Sequence, residues 1–330
     1  MCTTIARGQY FGRNMDLDCG FGERIVITPR GYVFDFRKVA PMPRHYAMIG
    51  MAAVLEEYPL YADAVNEMGL CMAGLNFPGN AYYPDQMNTE KYNVSPFELI
   101  PWVLGQCANI AEAKALMDET HLISVPFSGS VPLTPLHWHI ADKSGSVVLE
   151  STASGLCIYD DPVGVLTNNP PFDFHLVNLS HYANLNNQTP RDEAFAHMGT
   201  QVTGMGLGAH GLPGDYSSAS RFIKAAWLNR FADMENENGA IAQMLHILSA
   251  LSPVKGAVLT ADGKSHYTTY TACMDAENGV YYYKTYFDTR LHAVKLYDYS
   301  FDEAQLYQVP LHGEENRKIT CDALDFHVKM

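Results

Sequence analysis

The chain has 330 residues, 47% of them apolar and 18% charged, which allows a sizeable core and argues against disorder. Its 22 basic and 36 acidic residues give a net charge of −14, which excludes the clustered Lys/Arg of a nucleic-acid surface or a polybasic membrane patch. No apolar run of roughly 18 residues predicts a membrane span, and the opening MCTTIARGQYFGRN lacks the hydrophobic stretch of a signal peptide. The seven cysteines form no CxxC pair and read as reduced thiols of a cytoplasmic protein.

The first stretch predicts strands. Thr3-Thr4-Ile5-Ala6 is β-branched, Tyr10 to Met15 alternates, and Glu23 to Thr28 stops at Pro29. Ala64-Val65 and Leu70 to Ala73 flank Asn66-Glu67-Met68-Gly69, a hairpin with Gly at the left-handed position. Ser95-Pro96-Phe97-Glu98 is a capping box with Pro at the first helical position, opening a helix to about Cys107. Asn109 to Glu112 repeats the cap spacing before a second helix. Strands follow at 136–140, 146–150, 155–160 and 164–167, then helices at 218–233 and 240–251. In the latter, Ile241, Met244, Leu245, Leu248 and Leu251 form one apolar stripe. Strands return at 267–274, 280–286 and 291–297. Sheets with hairpin connections and helices packed outside predict α+β layers rather than a doubly wound parallel sheet. No GxGxxG and no P-loop is present.

The most unusual position for chemistry is Cys2. Removal of Met1 would place a thiol and a free α-amine on one residue. Such an amine titrates near pH 8, so it is suited to accept and return a proton. In the following strand Arg13 and Met15 share one face, and Asn14 and Asp16 the other.

Several ordered motifs then carry a resemblance: Met1-Cys2-Thr3, Phe11 to Asp16, Ala73 to Pro78, Leu136-His137-Trp138, Val165 to Asn168, Leu212 to Asp215, Ser220-Arg221-Phe222 and Tyr270 to Met274. Over nearly its whole length the chain resembles the choloylglycine hydrolases, the bile salt hydrolases and penicillin V acylases, which are N-terminal-nucleophile amidases. The connection from Cys2 to Phe11 is shorter than in clostridial members, so a trimmed first hairpin is expected.

The resemblance implies one domain over 1–330 with a four-layer αββα sandwich and no metal or cofactor. It implies Cys2 as nucleophile with its α-amine as base, and Arg13 beside the thiol, where a cation favours thiolate. It further implies Asp16 orienting the amine, the backbone N–H of Asn76 and the side chain of Asn168 as oxyanion donors, and Arg221 completing the charge network. The implied substrates are glycine and taurine conjugates of bile acids. A homotetramer is implied as well.

Pocket positions correspond to Met15, Phe21, Leu55, Phe127, Val131 and Leu136. Phe127 to Leu136 lies in a Pro-rich loop (Pro126, Pro132, Pro135), which suits a pocket wall better than a core strand. Asn76 is the bile-salt-type residue where penicillin-V-type members commonly carry Tyr. Gly206-Leu207-Gly208 resembles members that accept taurine conjugates, and reads as an open, flexible loop.

Other readings are weaker. His137 and His139 share a strand face, but no third ligand has a recognisable spacing. Tyr281-Tyr282-Tyr283 lacks the basic patch of a stacking platform. A peroxide sensor would need a resolving thiol, for which Cys19 is the nearby candidate. A bile-acid-binding protein without activity would show a broken catalytic set.

Overall fold

The computed structural model describes residues 1–190, 204–234 and 237–312. The chain opens with β1 (Cys2–Arg7) and β2 (Tyr10–Leu17), joined by the two-residue turn Gly8-Gln9. Only Gly8 of this pair takes a positive φ, +57°, as a II′ hairpin requires. The first hairpin is thus closed by the shortest common connection.

The two strands sit inside a six-stranded sheet. Its order is β12 (Val165–Leu166), β1, β2, β13 (Tyr267–Asp275), β14 (Val280–Thr285), β15 (His292–Lys295). An eight-stranded sheet runs β11 (Gly155–Asp161), β10 (Gly145–Thr152), β9 (Leu136–Asp142), β6 (Cys71–Asn76), β5 (Tyr58–Asn66), β4 (Met48–Leu55), β3 (Arg24–Thr28), β16 (Tyr307–Val309). Neighbouring strands in both are antiparallel. A separate parallel pair joins β7 (Tyr92–Val94) and β8 (Thr120–Leu122).

The helices α1 (Leu99–Leu104) and α2 (Ile110–Asp118) lie on the eight-stranded sheet. On the six-stranded sheet lie α4 (Ser218–Phe231) and α5 (Glu237–Ser249), with α3 (Phe172–Ser180) against α4. The result is the expected α+β sandwich in four layers, αββα. Among the described residues no helix is long and apolar enough to cross a membrane.

Strand periodicity sets the layering. Ile25, Ile27, Ile49, Met51 and Val65 face the core shared with β1 and β2, while Val26, Met48, Ala52 and Ala64 face α1. Each of the Ile, Val and Met side chains among them stabilises by about 1.5–3 kcal/mol when fully buried. Two β-bulges break this alternation. One inserts Ala62, because Met51 pairs with Asp63 but Ala52 with Tyr61. The other inserts Thr269, because Asp16 pairs with Thr268 but Met15 with Tyr270.

Some elements differ from expectation. The capping box holds, with the Glu98 carboxylate 2.9 Å from the Ser95 N–H. It opens a 3₁₀ turn, and α1 ends at Leu104 rather than near Cys107. The amide of Asn66 takes the carbonyls of Leu104 and Cys107 at 2.8 Å each, a tertiary cap that no local pattern encodes. The strand β4 went unpredicted because it is buried on both faces and reads as a plain apolar run. The β4–β5 turn places Glu56 and Glu57 at φ +50° and +64°, where Asn-Gly is usual. Cys2, Cys71, Cys107, Cys157 and Cys273 are free thiols, and Cys321 lies outside the described residues.

Candidate active site

Strand pairing builds the centre of the site. The register sets Cys2 opposite Met15, and the Cys2 thiol lies 3.6 Å from the Met15 sulfur and 3.5 Å from Nη2 of Arg13. Arg13 is buried and its Nη groups also donate to the Gly74 carbonyl at 2.6 Å, the Asp63 carboxylate at 3.3 Å and the Ala62 carbonyl, while its Nε has no partner. Burial works against its charge, but Tyr270, Cys2 and Asp63 outweigh that and hold its pKa above the usual arginine value.

Asn168 follows β12, which pairs with β1, so the amide arrives beside Cys2. The Cys2 backbone N–H donates to its Oδ1 at 2.8 Å, and Nη2 of Arg221 donates to the same oxygen at 2.8 Å. The Asn168 Nδ2 donates to the Asn76 carbonyl at 2.7 Å. An amide nitrogen carries two N–H donors, so this bond uses one of them. Asn76 closes β6 opposite Leu136. The Leu136 N–H instead donates to the Tyr83 hydroxyl, which places this pair outside the hydrogen-bonded positions of the ladder and turns the Asn76 backbone toward Asn168.

Arg221 projects from α4 and donates to the Cys2 carbonyl, to Thr3 Oγ1 at 2.6 Å and to the Tyr216 carbonyl at 3.0 Å. Burial lowers its pKa, opposed by Asp16 and Cys2. Asp16 is fully buried; its Oδ1 accepts from Thr268 at 2.6 Å and its Oδ2 has no hydrogen-bond partner. Burial raises its pKa, against the pull of Arg221, the chain's α-amine, Thr268 and Arg13.

Met1 extends β1 by one residue. Its amine donates to the Asp16 carbonyl at 3.0 Å and lies 3.3 Å from Nε2 of His266. Burial lowers the pKa of this amine. His266 is pushed down to about 4, by burial first and by the neighbouring amine second.

Cys2, Arg13, Asp16, Asn76, Asn168 and Arg221 therefore converge. The nine candidate substrate residues do not form one group. Met15 touches the Cys2 sulfur, and Leu136 pairs with Asn76. Phe21 is partly buried against the core between the sheets, and Leu55 is exposed at the β4–β5 tip. The segment from Phe127 to Pro135 is a loop as expected, but Phe127 is 6% exposed and packs on Tyr58, Phe97 and Arg37. Val131 lies partly buried against that cluster.

Gly206-Leu207-Gly208 opens a 3₁₀ turn rather than a loose loop. The Gly208 carbonyl accepts from Asn186, and a Cβ on Gly208 would come within 2.4 Å of the Gln188 carbonyl. Backbone approach explains Gly208, whereas Gly206, at φ +81°, has nothing within 4 Å of a Cβ position, so the expected room holds at one glycine and not at the other. Two cavities, of about 910 and 520 Å³, lie away from Cys2 and are lined by none of these fifteen residues.

The two histidines have protein partners: His137 meets Glu150 and the Thr167 carbonyl, each at 3.0 Å, and His139 meets Thr4 and Asp161. Tyr281 and Tyr283 are core residues. Sequence reasoning missed Asp63, Thr268, His266 and the tyrosines 270 and 281. Asp63 had a readable signal, the one charged side chain inside a mostly apolar strand.

A family model, the linear amide C–N hydrolases of the choloylglycine hydrolase family, matches residues 1–308. A bile salt hydrolase/transferase of Lactiplantibacillus plantarum is 46% identical, covering 95% of this chain and 98% of that one. A bile salt hydrolase/transferase of Clostridium perfringens is 37% identical, covering 90% and 92%. The crystal structure of a mutant conjugated bile acid hydrolase from Clostridium perfringens superposes with a TM-score of 0.88 at 33% identity, covering 94% and 97%. The penicillin V acylase of Agrobacterium tumefaciens shares the fold, with a TM-score of 0.74 at 18% identity over 93% and 90% of the two chains. With the strand register, the buried charges around Cys2 and the near full-length matches in agreement, the chain is a member of the choloylglycine hydrolase family of linear amide hydrolases.

Proposed function

We propose that the protein is a bile salt hydrolase that cleaves the amide of glycine- and taurine-conjugated bile acids through a thioester on Cys2. The observation that carries this reading is the convergence on one residue: the Cys2 thiol meets Arg13, its nitrogen meets Asn168 and its carbonyl meets Arg221. Removal of Met1 turns the Cys2 nitrogen from a non-basic amide into an amine. That amine takes the thiol proton, and the unpartnered Asp16 Oδ2 is an acceptor for the ammonium formed.

The thiolate attacks the amide carbonyl. Charge on the tetrahedral oxygen is met by the Asn76 N–H and the second N–H of the Asn168 amide. The ammonium returns its proton to the departing glycine or taurine nitrogen, and the C–N bond breaks. Water, deprotonated by the same amine, then adds to the thioester; the C–S bond breaks, the bile acid leaves, and the ammonium returns its proton to the Cys2 sulfur. Arg221 holds the Cys2 carbonyl and Asn168 in place through this cycle.

Met15 and Leu136, beside Cys2 and Asn76, are the nearest walls for a sterol; Phe21, Leu55, Phe127, Val131 and the 206–208 turn form the outer set of this reading. The reading needs no metal or cofactor, and includes a cytoplasmic homotetramer as the resemblance implies. A second reading is acyl transfer, favoured by the hydrolase/transferase names of the relatives. There an amine attacks the thioester in place of water.

The test is mass spectrometry of products after incubating Met1-processed protein with glycocholate, taurocholate and penicillin V in parallel. Free cholate from both conjugates is expected. Cleavage of penicillin V alone would overturn the proposal, and new amine conjugates in the presence of free amino acids would establish transfer.

A further inference from the structure

We infer that Asp63, with the hydroxyls of Tyr270 and Tyr281, is a positioning group that holds Arg13 against the Cys2 thiol. This inference rests on the amidase reading. Asp63 is fully buried on β5, and both of its oxygens are engaged. The Tyr281 hydroxyl donates to Oδ1 at 2.5 Å, and the Tyr270 hydroxyl to Oδ2 at 2.7 Å. Arg13 Nη1 donates to the same Oδ2 at 3.3 Å.

A guanidinium buried this deeply needs a counter-charge, and Asp63 is the carboxylate that forms an ion pair with it. The two phenols add one hydrogen bond to each carboxylate oxygen and fix its orientation. Burial first, and the carboxylate second, push both phenols above their usual titration range, so they act as donors.

The two bulges make this arrangement. The extra residue Ala62 leaves the β4–β5 ladder, and its carbonyl accepts from Arg13 Nη1. In the facing six-stranded sheet, the extra residue Thr269 puts Thr268 opposite Asp16 and Tyr270 opposite Met15. Strand alternation would give residues 268 and 270 one face; the bulge gives them two. Thr268 thus serves Asp16 while Tyr270 serves Asp63. Arg13 is held at three acceptors, and its remaining Nη2 contacts are the Cys2 and Met15 sulfurs.

The experiment uses Met1-processed Asp63→Asn. We expect kcat for glycocholate to fall about 10- to 100-fold, the usual scale for a group supporting a catalytic residue, with KM within about twofold. Alkylation of Cys2 by iodoacetate and iodoacetamide, followed by mass spectrometry of the N-terminal peptide, supplies the second readout. A fixed guanidinium favours the anionic reagent, so the iodoacetate-to-iodoacetamide rate ratio should drop in the double variant Tyr270→Phe and Tyr281→Phe, which loosens Asp63 and Arg13 without changing the charge at the site. Wild-type kcat, or a lower kcat with an unchanged ratio, would overturn the inference. If Asp63→Asn does not fold, the same double variant keeps both rings and carries the kcat expectation as well. The alkylation ratio needs no turnover, so a wild-type protein inert toward bile salts would sink the bile-salt reading and leave the Asp63 result legible.

Discussion

Replacing Asn168 by Ala removes three hydrogen bonds at once: the acceptor for Cys2 N–H, the acceptor for Arg221 and the donor to Asn76. If the amide also supplies an oxyanion donor, kcat falls about 10²–10³-fold, or roughly 2.7–4 kcal/mol of transition-state stabilisation. Three bonds at a net of about 1 kcal/mol each also cost about 3 kcal/mol of folding stability. The two effects separate experimentally. Urea unfolding reads the second, and glycine release from saturating glycocholate, well below the unfolding midpoint, reads the first. Loss confined to KM would remove Asn168 from the oxyanion role. A fall in kcat under tenfold would show that its amide only organises the ground state.

Cys2→Ala should abolish turnover while leaving the urea midpoint near wild type, and protein retaining Met1 by N-terminal mass should be inactive; substantial activity in either would refute the amine-and-thiol mechanism. His266 titrates near 4 in the folded protein and near 6.5 when unfolded, so between these values the unfolded chain binds the extra proton and stability falls as pH falls. In the Met1-bearing protein, His266→Gln should flatten urea stability between pH 6.5 and 4, and an unchanged slope would contradict the burial argument. Glu57→Gly should stabilise by about 1 kcal/mol in thermal unfolding, because Glu57 occupies the left-handed region at φ +64°; a neutral or destabilising result would show that the turn carries no strain.

Much of the site was legible in the chain because it is local. Cys2, Arg13 and Asp16 are three positions on one hairpin, and its two-residue turn sets their register. The caps at Ser95 and Asn109 and the Gly69 turn were readable for the same reason: their chemistry is complete within a few residues. The substrate wall was not legible, since apolar residues at a pocket and in a core are chemically alike. Phe127 looked like wall and packs as core.

The amino-acid sequence by itself determined the α+β class, most of the strands and the reactive set. Alternation, caps and the resemblance to an amidase family all act along the chain. The tertiary structure alone decided which charges meet. Asp63, Tyr270 and Tyr281 lie 50 to 218 positions from their partners in the network. They meet Arg13 because the two sheets pair their strands and stack face to face, while bulges at Ala62 and Thr269 re-aim the neighbouring Ala62 carbonyl and Thr268; neither pairing nor a bulge exists until strands meet.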